Sequence, residues 1–128
     1  MTQIRKVKCL SPDCPWEKLH KMSDWIREYL PDSSIGFLVT DIDFVFYNYM
    51  TKKIALIEVK TNNSQVARWQ FGILQHVAQC IQKGIYDGWQ FAGLYLVRFE
   101  HTFFDDGKCY LNNTEVTEQQ LKDAFSRI

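Results

Sequence analysis

The stretch Thr40–Thr61 reads TDIDFVFYNYMTKKIALIEVKT, and it decides the fold that we predict for this chain. It holds two apolar runs, rich in β-branched and aromatic residues, on either side of a short polar connection. This pattern is typical of a β-hairpin, because such residues favour strands and the polar connection favours a turn. The stretch therefore predicts two neighbouring antiparallel strands.

Charged side chains stand at the same end of both predicted strands. A turn centred at residues 51 and 52 places Asp43 opposite Lys60 and Val45 opposite Glu58. Because side chains alternate between the two faces of a strand, Asp43, Glu58 and Lys60 are expected to project from one face. Two carboxylates and an ammonium gathered there can hold a divalent cation and steer a water molecule beside a phosphate.

This order, an Asp followed by Glu-x-Lys, resembles the signature of the PD-(D/E)XK nuclease superfamily. The resemblance is carried by four residues: Asp43, Glu58, Val59 and Lys60. It departs from the family pattern at Ile42, which stands in place of the leading proline. The resemblance covers roughly residues 24–99. It implies an α/β fold with a central mixed β-sheet flanked by helices, in a restriction-endonuclease-like core of order α-β-β-β-α-β. A C-terminal hairpin and a short helix are expected to follow.

The resemblance also implies an activity. Asp43, Glu58 and the Val59 carbonyl would bind Mg²⁺ (or Mn²⁺), and Lys60 would stand beside the attacking water. The expected protein is a Mg²⁺-dependent endo- or exodeoxyribonuclease with structure-directed or relaxed specificity for DNA, as in junction resolvases, repair enzymes and phage or mobile-element nucleases. The resemblance does not decide whether the chain acts as a homodimer, as small members of the family frequently do. The alternative is a non-catalytic nucleic-acid-binding or protein-interaction module on the same fold, since a fold does not fix a function.

Three further residues are candidates for the same site. Gln70 lies on the apolar stripe of the helix that follows the hairpin, and the family often places a catalytic Gln there. The other reading is a structural amide, because a buried amide needs a partner in any case. Glu28, on the helix before the hairpin, is a candidate accessory acid, with Glu17 the lesser choice. Asp41 shares the strand parity of Asp43 and could replace it as the metal ligand.

The remaining elements follow from periodicity and from helix and turn signals. We expect a helix over Pro15–Leu30 and a helix over Gln65–Lys83 capped by Ser64. We expect strands at Phe37–Val39 and Trp89–Phe99, a hairpin turn at Asp106-Gly107, a second turn at Asn112-Asn113, and a final helix that begins with a capping box at Thr117.

The composition of the chain limits the class of protein that it can be. The 128 residues are 46% apolar and 15% aromatic, which predicts one folded domain over residues 1–128. The formal net charge is zero, so the excess of Lys and Arg that usually accompanies nucleic-acid binding is missing. No membrane span or secretory signal is recognised, and a cytoplasmic location is expected. Cys9 and Cys14 are expected to be thiols, with zinc binding the less favoured reading.

Overall fold

A computed structural model of the chain describes residues 15–128, with side chains described from Lys21 onward. These residues belong to two compact units, residues 15–39 and residues 40–128. The elements in chain order are helix α1 (Pro15–Tyr29), a 3-10 turn (Ser33–Ile35), strands β1 (Phe44–Asn48) and β2 (Lys53–Lys60), helix α2 (Arg68–Gly84), strands β3 (Gln90–Phe99), β4 (Cys109–Leu111) and β5 (Thr114–Val116), and helix α3 (Glu118–Phe125). The predicted α/β class with a mixed sheet is confirmed, since the strands form one sheet in the order β1-β2-β3-β4-β5.

The first unit contains α1 and the 3-10 turn. The predicted helix is confirmed, and Pro31 prevents its continuation because proline has no backbone N–H to donate. Asp32 then caps the turn, since its Oδ1 accepts a hydrogen bond from the backbone N–H of Ser34 at 2.9 Å. A hydrogen bond from the Ser34 hydroxyl, and then the one from the Ser34 backbone N–H, lower the pKa of the Asp32 carboxyl. No helix among residues 15–128 is long and apolar enough to cross a membrane.

The predicted buried strand at Phe37–Val39 is wrong. These residues have no strand geometry, and their side chains are 41%, 51% and 46% exposed. A strand forms only with a hydrogen-bonded neighbour, and among the described residues β1 pairs with β2 alone. An apolar run without such a neighbour therefore does not become a strand. Over the described residues the order is α-β-β-α-β, which lacks the first strand of the predicted α-β-β-β-α-β core, and β1 lies at a sheet edge.

The predicted hairpin is formed by β1 and β2, but its predicted register is wrong by two residues. Val45 pairs with Leu56, not with Glu58, and Asn48 pairs with Lys53. The turn is centred one residue earlier than expected because Asn48 organises it. Its Oδ1 accepts hydrogen bonds from the N–H groups of Met50 at 3.0 Å and of Thr51 at 3.1 Å. A shift of two residues leaves every side chain on its predicted face.

Strand β2 is an interior strand of the sheet, between β1 and β3, and its two faces pack against different layers. Its residues Ala55 and Ile57 face a core that α3 and the chain end complete with Leu121 and Ile128. Because side chains alternate, Leu56, Glu58 and Lys60 face the other way, toward α2. Leu74 and Gln70 are the buried residues of α2. The site of interest therefore lies between β2 and α2, in the second unit.

A bulge in β3 sets which residues meet across the parallel pair β2–β3. Ile54 pairs with Phe91, whereas Ala55 pairs with Gly93, so Ala92 is an extra residue in β3. Gly93 has φ of 125°, a conformation that favours glycine. Beyond the bulge, Lys60 pairs with Arg98. Without it, Arg98 would point to the opposite face, because a slip of one residue reverses the faces of a strand.

Helix α2 begins later than predicted. It starts at Arg68, and Ala67 at its N-cap supplies no side-chain hydrogen bond. Ser64 does not cap it, and its backbone N–H donates instead to the Thr61 carbonyl at 3.1 Å. The four residues before Arg68 therefore form a loop beside the end of β2, and the first N–H groups of α2 have no side-chain acceptor at the N-cap.

At the C-terminal end, one of the two predicted turns differs. Asn112-Asn113 form the tight β4–β5 turn, with φ of 48° and 69°, as predicted. Asp106-Gly107 instead lie in a longer loop between β3 and β4, because Asp106 Oδ1 accepts hydrogen bonds from the N–H groups of Thr102 and Phe103, both at 3.0 Å. The predicted capping box of α3 is confirmed, with Thr117 and Gln120 bonded reciprocally.

Candidate active site

The candidate site lies at one end of the β1–β2 hairpin. Asp43 immediately precedes β1, and Glu58 and Lys60 lie near the end of β2. Extending the register by one residue beyond the Phe44–Ile57 pair brings Asp43 level with Glu58. Gln70 approaches from the first turn of α2. The hairpin and the helix therefore bring these four side chains together in one unit.

Glu58 is the centre of this cluster. Its side chain is 0% exposed, and Oε2 accepts a hydrogen bond from Gln70 Nε2 at 3.1 Å. The same oxygen lies 3.5 Å from Lys60 Nζ, whose side chain is 17% exposed. A buried carboxylate normally needs such partners, because removing a charge from water is costly. Glu58 is thus held by one amide and one cation, and Lys60 connects it to solvent.

Asp43 is the second carboxyl of the cluster. Its Oδ2 accepts a hydrogen bond from the Val59 backbone N–H at 2.8 Å, which fixes it against the middle residue of the Glu-x-Lys motif. The Asp43 and Glu58 side chains are also hydrogen-bonded to each other. Two carboxyl groups form such a bond by sharing a proton. The two carboxyls are therefore held against each other at this end of the hairpin.

The pKa of Glu58 reflects this surrounding. Burial raises it most, the charge of Asp43 and the hydrogen bond with Asp43 raise it further, Lys60 lowers it, and Asp41 raises it slightly. Together these effects bring the pKa of Glu58 to about 7. At neutral pH the protonated form of Glu58 is therefore populated far more than that of an ordinary carboxyl. The single Lys60 ammonium does not compensate for the neighbouring acids.

The accessory candidates differ in their placement. Asp41 is half-buried and acts on Glu58 through its charge, whereas Asp43 contacts both Glu58 and Val59 directly. Which of the two binds a metal stays a prediction. Glu28 is exposed on α1, in the first unit, and its accessory role also stays a prediction.

The oxygen donors suit a hard dication such as Mg²⁺, which prefers carboxylates, carbonyls and water. Among residues 21–128, whose side chains the structure describes, no group of three or more His, Cys, Asp or Glu side chains is arranged to hold a metal ion. The carboxyls of Asp43 and Glu58 are in contact, and Asp41 lies near enough to act on Glu58 through its charge. Cys9 and Cys14 lie outside the described residues. Cys109 is part of the core, where burial raises the pKa of its thiol.

Sequence reasoning missed two cations beside this cluster. Arg98 of β3 is the register partner of Lys60, and Arg68 is the first residue of α2. Arg98 stands out in the sequence as a lone Arg in the apolar run of β3. Its pairing with Lys60, however, depends on the bulge at Gly93, which no residue pattern predicts. A cavity of about 590 Å³ lies away from the cluster and is lined by apolar residues such as Ile54 and Trp89.

Comparison with models of protein families, with curated proteins and with solved structures finds no match for the chain. Support for a function therefore comes from the geometry of the cluster and from the Asp and Glu-x-Lys residues that form it.

Proposed function

We propose that this chain is a metal-dependent nuclease that hydrolyses phosphodiester bonds, with DNA as the substrate. The observation that carries this proposal is the contact set of buried Glu58. Its carboxyl is hydrogen-bonded to Asp43 and Gln70 and lies 3.5 Å from Lys60 Nζ. These are the residue types and the order that the PD-(D/E)XK resemblance assigns to catalysis.

The charges of the cluster favour a dication over a purely structural role. Asp43 and Asp41 both raise the pKa of Glu58, and Lys60 is the cation among the groups that shift it. A structural ion pair would balance its charges, since a buried carboxylate without compensation is unfavourable. Here the acids outnumber the ammonium, and a divalent cation would supply the missing positive charge.

In this proposal Asp43, Glu58 and the Val59 carbonyl would hold Mg²⁺ or Mn²⁺. Such an ion polarises a phosphoryl oxygen and lowers the pKa of a bound water. Lys60 donates from its ammonium to the phosphate oxygens and offsets the negative charge that develops there. Gln70 is a positioning residue, because its amide holds Glu58 Oε2 from α2 and so fixes the carboxylate relative to Lys60.

Incubation with supercoiled plasmid, linear duplex, single-stranded and four-way-junction DNA tests the proposal, with Mg²⁺ or Mn²⁺ against a chelator. The wild-type protein is expected to cleave at least one of these DNAs, and only with the metal. Glu58→Gln and Lys60→Met proteins are expected to be folded and inactive. Glu115→Gln, an exposed acid of β5, is the matched control and should cleave normally.

Two results would refute the proposal. One is cleavage that is equally fast in the Glu58→Gln protein. The other is a wild-type protein that cleaves none of the four DNAs with either metal. Retention of DNA without cleavage, steeply weakened by salt, would identify the binding module that is the alternative.

A further inference from the structure

A second feature lies directly beside the cluster, at the junction of β2, β3 and the start of α2. It is a cleft of about 300 Å³ whose wall includes Lys60. We name it the Arg98 cleft and define it by three cations and three apolar residues: Lys60, Arg68, Arg98, Val66, Phe71 and Leu96. Lys60 therefore belongs both to the cleft and to the candidate active site.

The cleft carries three cationic side chains, of which Lys60 also lies 3.5 Å from Glu58. Lys60 and Arg98 are register partners on the same face of the sheet, and Arg68 lines the cleft from α2. No acidic residue lines it among the described residues. The uncapped N-terminus of α2 adds a partial positive charge at the same place. The local charge is therefore suited to an anion, although the net charge of the whole chain is zero.

Arg98 is positioned without being neutralised. Its side chain donates a hydrogen bond to Asn63 Oδ1, and its guanidinium lies 4.1 Å from the centroid of the Tyr110 ring. Among the described residues no carboxylate forms an ion pair with Arg98, and its buried Nε–H has no acceptor. A guanidinium carries five donors in a planar fork that matches phosphate oxygens. Arg98 thus keeps donors available while neighbours fix its orientation.

Apolar residues line the cleft as well. Val66, Phe71 and Leu96 line it, and Phe71 directly follows Gln70, the residue that holds Glu58. Aromatic side chains next to basic grooves in single-strand-binding proteins accept stacked bases. The cleft therefore offers cationic donors for a phosphate and apolar surface for a base. Its volume of about 300 Å³ is at the lower end of ligand pockets, and suits one nucleotide and not a stack of base pairs.

We infer that the Arg98 cleft binds one unpaired nucleotide of the strand whose phosphodiester is cut at Glu58 and Lys60. This inference rests on the proposed nuclease function and gives it a substrate class: single-stranded DNA, or duplex DNA with frayed or unpaired ends. A base inside a duplex must leave its stack to enter such a pocket, which costs a few kcal/mol. Blunt duplex is therefore the poorer substrate.

Binding of a short fluorescent oligothymidylate, measured in chelator, tests the cleft without cleavage. A blunt duplex of the same length is the comparison, and we expect it to bind about tenfold more weakly. Arg98→Gln should weaken oligothymidylate binding about tenfold, as expected for a lost hydrogen bond to a charged group. Arg68→Gln, on an exposed residue that leaves the fold intact, should weaken it up to about fivefold. Arg127→Gln near the chain end is the matched control and should change nothing.

The salt dependence of oligothymidylate binding separates the phosphate contacts of the Arg residues from base stacking on Phe71. Each lost phosphate contact should reduce the slope of log affinity against log salt by about 0.7, so the slope should fall in the Arg98→Gln and Arg68→Gln proteins. Phe71→Leu keeps an apolar side chain but loses the ring, and should weaken binding about tenfold with the slope unchanged. Phe71→Tyr keeps the ring and should bind as the wild type does.

The outcomes distinguish this inference from the proposed function. Cleavage of DNA without a preference for single strands, together with unchanged binding in the Arg68→Gln and Phe71→Leu proteins, overturns the cleft inference and leaves the nuclease. Selective binding of oligothymidylate that these variants weaken, by a protein that cleaves no DNA, supports the cleft and refutes the nuclease.

Discussion

The raised pKa of Glu58 predicts an unusual dependence of stability on pH in the absence of metal. The perturbation is Glu58→Gln, which keeps the shape of the side chain. A glutamine can still accept from Gln70 and donate to Asp43, as the protonated carboxyl does. It therefore copies the neutral form of Glu58 at every pH, and the difference between the two proteins reports the cost of ionising this one group.

The sign and size of this stability difference follow from the pKa of Glu58 in the unfolded chain and in the folded protein. The ordinary value is 4.5, and in the folded protein burial, Asp43 and Asp41 raise it to about 7 against the opposing effect of Lys60. The proton contributes stability that is fully present below pH 4.5 and is lost as the pH rises to 7 and beyond. At about 1.4 kcal/mol per pH unit, the wild-type protein loses about 3 kcal/mol over this window relative to Glu58→Gln.

Urea unfolding in chelator, followed by tryptophan fluorescence at several pH values from 4 to 9, measures this difference. We expect the two proteins to be close in stability at the acidic end. The Glu58→Gln protein should be about 3 kcal/mol more stable at the alkaline end, with a plateau above about pH 8. Glu115→Gln is the control, because Glu115 is exposed and its replacement should leave the wild-type pH profile unchanged.

Parallel profiles for wild type and Glu58→Gln would refute the reasoning, because they would mean that Glu58 ionises as easily in the folded chain as in the unfolded one. A Glu58→Gln protein that is less stable than wild type at alkaline pH would refute it as well. In that case the Lys60 contact at 3.5 Å would outweigh both burial and the neighbouring acids.

Three further predictions concern the same unit. Lys60→Met should lower the rate of DNA cleavage by about a hundredfold or more in metal, as measured by gel assay. Calorimetry should show a folded protein with a lowered thermal midpoint, because buried Glu58 loses the cation that lies 3.5 Å away. Gln70→Ala should cost about 1–3 kcal/mol in urea unfolding, because it removes the amide partner of buried Glu58, whereas Gln75→Ala on the exposed face should cost under about 0.5 kcal/mol. Thr117→Ala removes the capping box of α3 and should cost about 1 kcal/mol by the same assay.

The sequence was sufficient to predict what depends on alternation and on short-range signals. Strand parity placed Glu58 and Lys60 on one face, and this holds although the predicted register was wrong by two residues. The helical stripe placed Gln70 toward the sheet, where it bonds Glu58. The capping box at Thr117 was recognised because its partners are three residues apart.

What the sequence did not reveal depends on partners distant in the chain or on competing local bonds. Phe37–Val39 has strand-like composition but no strand to pair with, and composition does not report that. Ser64 has the chemistry of a helix cap, but its N–H bonds Thr61 and the helix begins later. Arg98 could not be assigned to the site, because its neighbour on β2 is set by a parallel pairing across a whole helix.

The extra residue Ala92 and the glycine after it shift the register between β2 and β3 by one residue. Each β3 residue after the bulge therefore points to the face opposite to the one it would occupy without Ala92. This shift places the Arg98 guanidinium on the same face as the Lys60 ammonium. Two chains could therefore share an identical Asp and Glu-x-Lys motif and differ in whether a second cation stands next to it. The number of residues between α2 and Leu94 therefore decides which β3 side chain lies next to Lys60, independently of the Asp and Glu-x-Lys motif.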